Sequence, residues 1–197
     1  LSLPGALSLT SRSGNLDLGD LDASIITLRS AGGLMAGDLH AYGGGISAAA
    51  GGALSLGNVI ATGPAQLSGG SGVSIGNVSA TTIGISSSGG SISTGGLSAG
   101  SVALDAASNL STGGISASSL SRTASTLSVG NLTLAGSLSL ATRGGTLSAG
   151  NLNAQLINLS SGGNLQAGDL TSSTTVDASA GGSASLGNVT GPAGGRL

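Results

Sequence analysis

The sequence has no Cys, no Phe and no Trp, and only one each of Tyr, Met and His. It also has no Lys and no Glu, so its side-chain charges are seven Asp and five Arg, for a formal net charge of −2. Each absence excludes something. Without large aromatic rings, which dominate most cores, any interior is built from Leu, Ile, Val and Ala. Without Cys, and with one His, a zinc centre or a Ser-His-Asp arrangement has almost nothing to draw on. The lack of thiols fits export as an unfolded chain, where stray thiols are a liability. Five scattered Arg do not make the clustered cations that neutralise phosphates, so no nucleic-acid partner is expected. No apolar run reaches 18 residues, so no membrane insertion through a helix is expected. No basic segment followed by an apolar one marks a signal peptide within this numbering.

Gly is abundant, with 39 in 197 residues. Gly and Ser in such amounts also make flexible tethers. Disorder, however, goes with low hydrophobicity and high net charge. Here 39% of the residues are hydrophobic, and they are regularly placed.

The regularity is a repeat. A Gly that precedes Asn, Asp or Gly and then Leu, Val or Ile recurs at one phase, at 19, 37, 57, 76, 95, 113, 130, 150, 168 and 187. The spacings run from 17 to 20, with a mean just under 19. A second mark, Gly-Gly, occurs at 32–33, 51–52, 69–70, 89–90, 144–145, 162–163 and 181–182, and Asn109 stands where another is due. One clean period is "GNLNAQLINLSSGGNLQA" at 150–167. The period persists along the whole sequence without a break in composition, so a single repeat domain over 1–197 is expected.

Within a period, apolar and polar residues alternate in short bursts, as in Leu138-Ser-Leu140 and Leu54-Ser-Leu56. That alternation predicts strands with one buried face. Gly recurs too often for helices to persist. Gly63-Pro64 and Gly191-Pro192 both fall just after a Gly-Asn-Val strand, and Pro there fits a bend. Short strands, no helix and a fixed phase predict an all-β chain. Its expected form is a right-handed parallel β-helix, a solenoid of about ten 19-residue coils. With coils about 4.8 Å apart, the rod is roughly 50 Å long.

Stacked coils give the Gly-Asn motif a structural meaning. A tight corner is expected to need a residue that tolerates positive φ, which Gly and Asn do most readily. Asn58, Asn77, Asn131, Asn151 and Asn188 share this phase, with Asp20, Asp38 and Asp169 elsewhere. Their side chains are expected to hydrogen-bond along the axis as a ladder. Leu21, Leu39, Val59, Val78, Leu97, Ile115, Leu132, Leu152, Leu170 and Val189 follow directly. They are expected to form one inward row, with Ser79, Ser98, Ser116, Thr133 and Asn153 pointing outward.

Chemistry has few candidates. Asp17, Asp20 and Asp22 form the densest acidic stretch, without the Lys or Glu that carbohydrate-cleaving sites usually recruit. His40 and Tyr42 read as an exposed pair. Asp20 and Asp38 are the candidate calcium ligands: they lie one coil apart at the same phase, where two carboxylates repel unless a cation or water intervenes. "GGSGVSIGN" at 69–77 has the glycines of a calcium-binding nonapeptide but no Asp. The Thr-dense stretches at 80–84 and 171–177 are too far apart for an ice-binding array. Catalysis and a cofactor are not expected.

The phrases "LSLGNV" at 54–59, "SASLGNV" at 183–189, "LSAGNL" at 147–152 and "LQAGDL" at 165–170 resemble the filamentous haemagglutinin repeats of large bacterial exoproteins. The resemblance covers essentially the whole sequence. It implies two-partner secretion through an outer-membrane transporter, a secreted or cell-surface location, and a rod that serves an adhesin, a biofilm component or the stick of a toxin. On that resemblance the sequence reads as an excised length of shaft, its host-cell or neighbouring-cell partners being reached by other regions. The alternative is an extracellular filament subunit that associates end to end.

Overall fold

The computed structural model describes residues 1–192. Among these the chain is all-β, without a helix, and every strand pairing is parallel. It is a β-solenoid of about ten coils. The expected fold class is therefore what the chain adopts, and the coil spacing along the sequence is the one read from the Gly marks.

Each coil has three faces. A long face holds the apolar-x-apolar strands, for example Ala6–Ser11, Ile25–Ser30, Ile46–Ala50 and Ser137–Thr142. A second face follows the Gly-Gly mark, with Leu34–Ala36, Ala53–Leu56 and Leu165–Ala167. A narrow third face follows Gly-Asn, with Leu21–Ala23, Leu39–Ala41 and Val59–Ala61. In later coils the narrow and long faces fuse into single strands, such as Leu97–Ala106 and Leu152–Ser161. Pro64 sits in the bend before the long face, as its position after Gly-Asn-Val predicts.

Register turns the sequence repeat into columns. On the long face Ile26 pairs with Ile46, which pairs with Ala65, which pairs with Ile83. On the second face Leu34, Leu54, Val73 and Ile92 stack in turn. The narrow face stacks Leu21, Leu39, Val59, Val78 and Leu97, all buried. Most core side chains are thus supported by their equivalents one coil away, which is how a solenoid without aromatics fills its interior. Ser79, Ser98, Ser116, Thr133 and Asn153 point outward as expected.

The inward row has an interruption. Ile115 and Leu132 are half-buried, against the expectation of full burial. The narrow-face strands pair from Leu97 to Ile115 and from Leu132 to Leu152, but not from Ile115 to Leu132. The coil between the Gly at 113 and the Gly at 130 is the shortest in the sequence. It lacks the length to bring this corner onto its neighbour. Val189, in the last described coil, is exposed as well.

Candidate functional site

The Gly-Asn corner is the most repeated polar feature and forms a continuous ladder over several coils. Asp20 Oδ1 accepts the Asp38 N–H at 2.9 Å, and Asp38 Oδ1 accepts the Asn58 N–H at 2.6 Å. Asn58 Oδ1 accepts the Asn77 N–H at 3.0 Å, and Asn77 Oδ1 accepts the Gly96 N–H at 2.7 Å. The ladder resumes with Asn131, Asn151, Asp169 and Asn188, at 2.8 to 2.9 Å per rung. Side chains also bond directly: Asn77 Nδ2 donates to Asn58 Oδ1 at 3.3 Å. The main rung, however, runs from side-chain oxygen to backbone N–H. Asn and Asp both carry that oxygen, which is why they interchange at this phase.

The expected backbone conformation is corrected. Among the described residues no non-Gly residue has positive φ, and the only Gly with positive φ is Gly14, at 81°. The Gly of the motif is instead required by close approach. A methyl group at Gly37 would stand 2.0 Å from Asp20 Oδ1, and one at Gly150 would stand 2.3 Å from Asn131 Oδ1. The side chain of one coil occupies the space left by the missing Cβ of the next, so Gly and Asn are two halves of one contact.

A second polar stack, which sequence reasoning missed, lies at the Gly-Gly corner. Ser30 Oγ donates to Gly33 O at 2.9 Å, Thr142 Oγ1 to Gly145 O at 2.7 Å, and Ser161 Oγ to Asn164 O at 2.8 Å. These hydroxyls are buried, and each finds its own acceptor in a turn carbonyl that also takes a backbone N–H from a neighbouring coil. Their signal in the sequence is a Ser or Thr three residues before the acceptor, at the end of the long-face strand.

Asp20 and Asp38, the calcium candidates, are both ladder acceptors. Among the described residues no group of three or more His, Cys, Asp or Glu converges as a cation site would need. Asp22, in contrast, faces His40 one coil on, with Nδ1 at 3.3 Å from Oδ1. Both are about half exposed. Tyr42 packs near His40, its ring centroid at 6.2 Å, and its hydroxyl donates to Leu3 O two coils away at 2.8 Å. The residue separations, one period and two, are the signal that would have found both contacts. Arg143 likewise reaches two coils down to pair with Asp105 and to donate to Ala106 O.

A shallow groove of about 880 Å³ runs along the narrow face from Leu39 and His40 to Ile115 and Ser116. Its floor is aliphatic, and Ile60 is 51% exposed within it. Its ionisable residues, Asp38 and His40, are each already engaged, one in the ladder and one with Asp22. The groove offers no free acid-base pair.

Arg122 is the exception to the economy of the fold. Arg122 takes an inward long-face position between Leu104 and Leu140 and is only 3% exposed. Its Nη2 donates to Thr112 Oγ1, while its Nε has no partner. Among the described residues no carboxylate pairs with it. Burial pushes its guanidinium down to about 10, so it is still charged at neutral pH. The sequence does carry a trace of this residue: "LSR" at 120–122 stands where "LSL" stands at 138–140.

No known protein family, curated protein or solved structure matches the chain.

Proposed function

We propose that the chain is a structural shaft, a rod-like segment of a bacterial exoprotein of the filamentous haemagglutinin type, and not an enzyme. The observation that carries this reading is where the side chains go. Inward residues stack on their equivalents, corner Asn and Asp residues bind the next coil, and the buried hydroxyls at Gly-Gly close the turn. Most polar contacts join neighbouring coils, and none assembles reactive groups around a cavity. Such a segment holds a distal binding or toxin domain away from the cell. Secretion through an outer-membrane transporter, location at the cell surface and adhesion through other regions belong to the same proposal.

The test is surface access. An antibody to this chain should label intact producing cells and be removed by external protease. Label seen only after permeabilisation overturns the proposal.

End-to-end assembly into a filament is the second reading. It is favoured by one observation: Ala6–Ser11 and Val189–Thr190 are the edge strands of the described sheet, in which every pairing is parallel. Such edges can template further strands. Electron micrographs of purified protein separate the two: single short rods favour the shaft, and concentration-dependent filaments favour assembly.

A further inference from the structure

The interruption beside Ile115 has a defined extent. Around that turn, the last pair before it is Leu110 with Leu127, and bonding resumes where Gly136 N–H donates to Ser118 O at 2.8 Å. Between these points seven residues, 111–117, lie opposite eight, 128–135, and no backbone hydrogen bond joins them. Each side is fastened away from the other. Thr112 and Ile115 pair with Thr94 and Leu97 of the preceding turn, while Val129 and Leu132 pair with Ala149 and Leu152 of the following one. The asparagine ladder stops here too, because Gly96 and Gly114 occupy its phase. Its last rung before the interruption is Asn77 to Gly96, and its next is Asn131 to Asn151.

The side chains do not bridge the two sides either. Arg122 donates to Thr112 and so is held to the preceding side. Its burial without a counter-charge costs stability in this turn. The glycines at the interruption have room to move. A methyl group at Gly114 or Gly130 would meet nothing within 4 Å, whereas one at Gly136, where bonding resumes, would stand 2.6 Å from Ser118 O. Uncrowded glycines keep a wide range of backbone angles, and small residues of this kind often absorb the rotation at hinges.

The rest of the turn is closed. Residues 120–124 pair with 138–142 along the long face. Arg143 straps the end of that face by reaching past one turn to Asp105, and to Ala106 O at 2.6 Å. A rod bonded along one side and unbonded along another bends about the bonded side.

We propose that this corner is a hinge in the rod. The turns before the interruption and the turns after it move as two blocks about the paired long-face strands, and 111–117 and 128–135 separate and approach as they do so. The hinge sets how far the part beyond it can swing. It rests on the coil stack and not on the shaft reading.

The test measures distances between spin labels in frozen solution, on Cys residues introduced into the whole chain, which has none of its own. Ser79→Cys with Asn153→Cys puts labels on the outward row of the narrow face, four turns apart and on either side of the interruption. Ser86→Cys with Ser160→Cys puts them on the long face, also four turns apart, across the paired side. Ile60→Cys with Ser116→Cys stays on the narrow face and spans three fully paired turns. All these positions are exposed, so the variants are expected to fold, with circular dichroism as the check. The expected distance distribution for the first pair is roughly twice as broad as for either other pair. Equally narrow distributions for all three pairs would make the interruption a fixed irregularity. A distribution as broad for the Ile60 and Ser116 pair, or for the long-face pair, would mean that bending is not confined to this corner. Either result overturns the proposal.

Discussion

At a single corner, Gly150 and Asn131 show what the repeat conserves in physical terms. Asn131 Oδ1 occupies the space beside Gly150 and accepts the Asn151 N–H. Asn131→Leu removes that acceptor, and the expected loss is about 1–2 kcal/mol. Asn131→Asp keeps the oxygen and is expected to cost less than about 0.5 kcal/mol. Gly150→Ala drives a methyl into the same oxygen, with an expected loss of about 1–3 kcal/mol. Chemical denaturation of the three variants checks the order: equal stabilities for the Leu and Asp variants would refute the oxygen-to-backbone rung. The sequence displayed this pair clearly, because it recurs many times at one phase. It did not display the reason for it. Positive φ is the usual explanation for Gly beside Asn, whereas here a neighbouring coil, invisible to local reasoning, sets the requirement.

The strands are where period and burial meet. Leu97 and Ile115 hold equivalent narrow-face positions and pair with each other, but Leu97 is buried and Ile115, beside the interruption, is half-buried. Leu97→Asp puts a charge among aliphatic side chains with no partner and is expected to unfold the chain. Ile115→Asp is expected to leave a folded solenoid, because that side chain already meets solvent. Circular dichroism of the two variants separates the cases, and equal loss of β signal in both would refute the interruption of the inward row. Strand positions and inward rows were legible because alternation and phase are sampled about ten times. The interruption was not, because it occurs once. Its traces were a spacing of 17 between Gly113 and Gly130, the Gly-Gly at 113–114 in place of Gly-Asn, and Arg122 in a Leu position.

Over the whole molecule, each coil touches only its neighbours, so stability is close to a sum of coil and interface contributions. Deleting residues 76–94 removes one period and joins equivalent positions. The product is expected to retain its β signal and to be shorter by about 4.8 Å; collapse of the signal would mean that the coils are not independent units. Only 12 side chains are charged, and the pairs Asp22–His40 and Asp105–Arg143 are exposed. The thermal midpoint of the chain is therefore expected to change little with sodium chloride, since surface pairs contribute little and are screened. A large fall with salt would point to charge interactions that the coil stack does not contain. The ladder, finally, has a direction. In every rung the side-chain oxygen belongs to the earlier coil and the N–H to the later one. A finished coil thus presents its successor with a preset acceptor, while offering its predecessor only a backbone N–H. The chain is a template that reads one way, adding turns more readily at its C-terminal end as they emerge than in the reverse order.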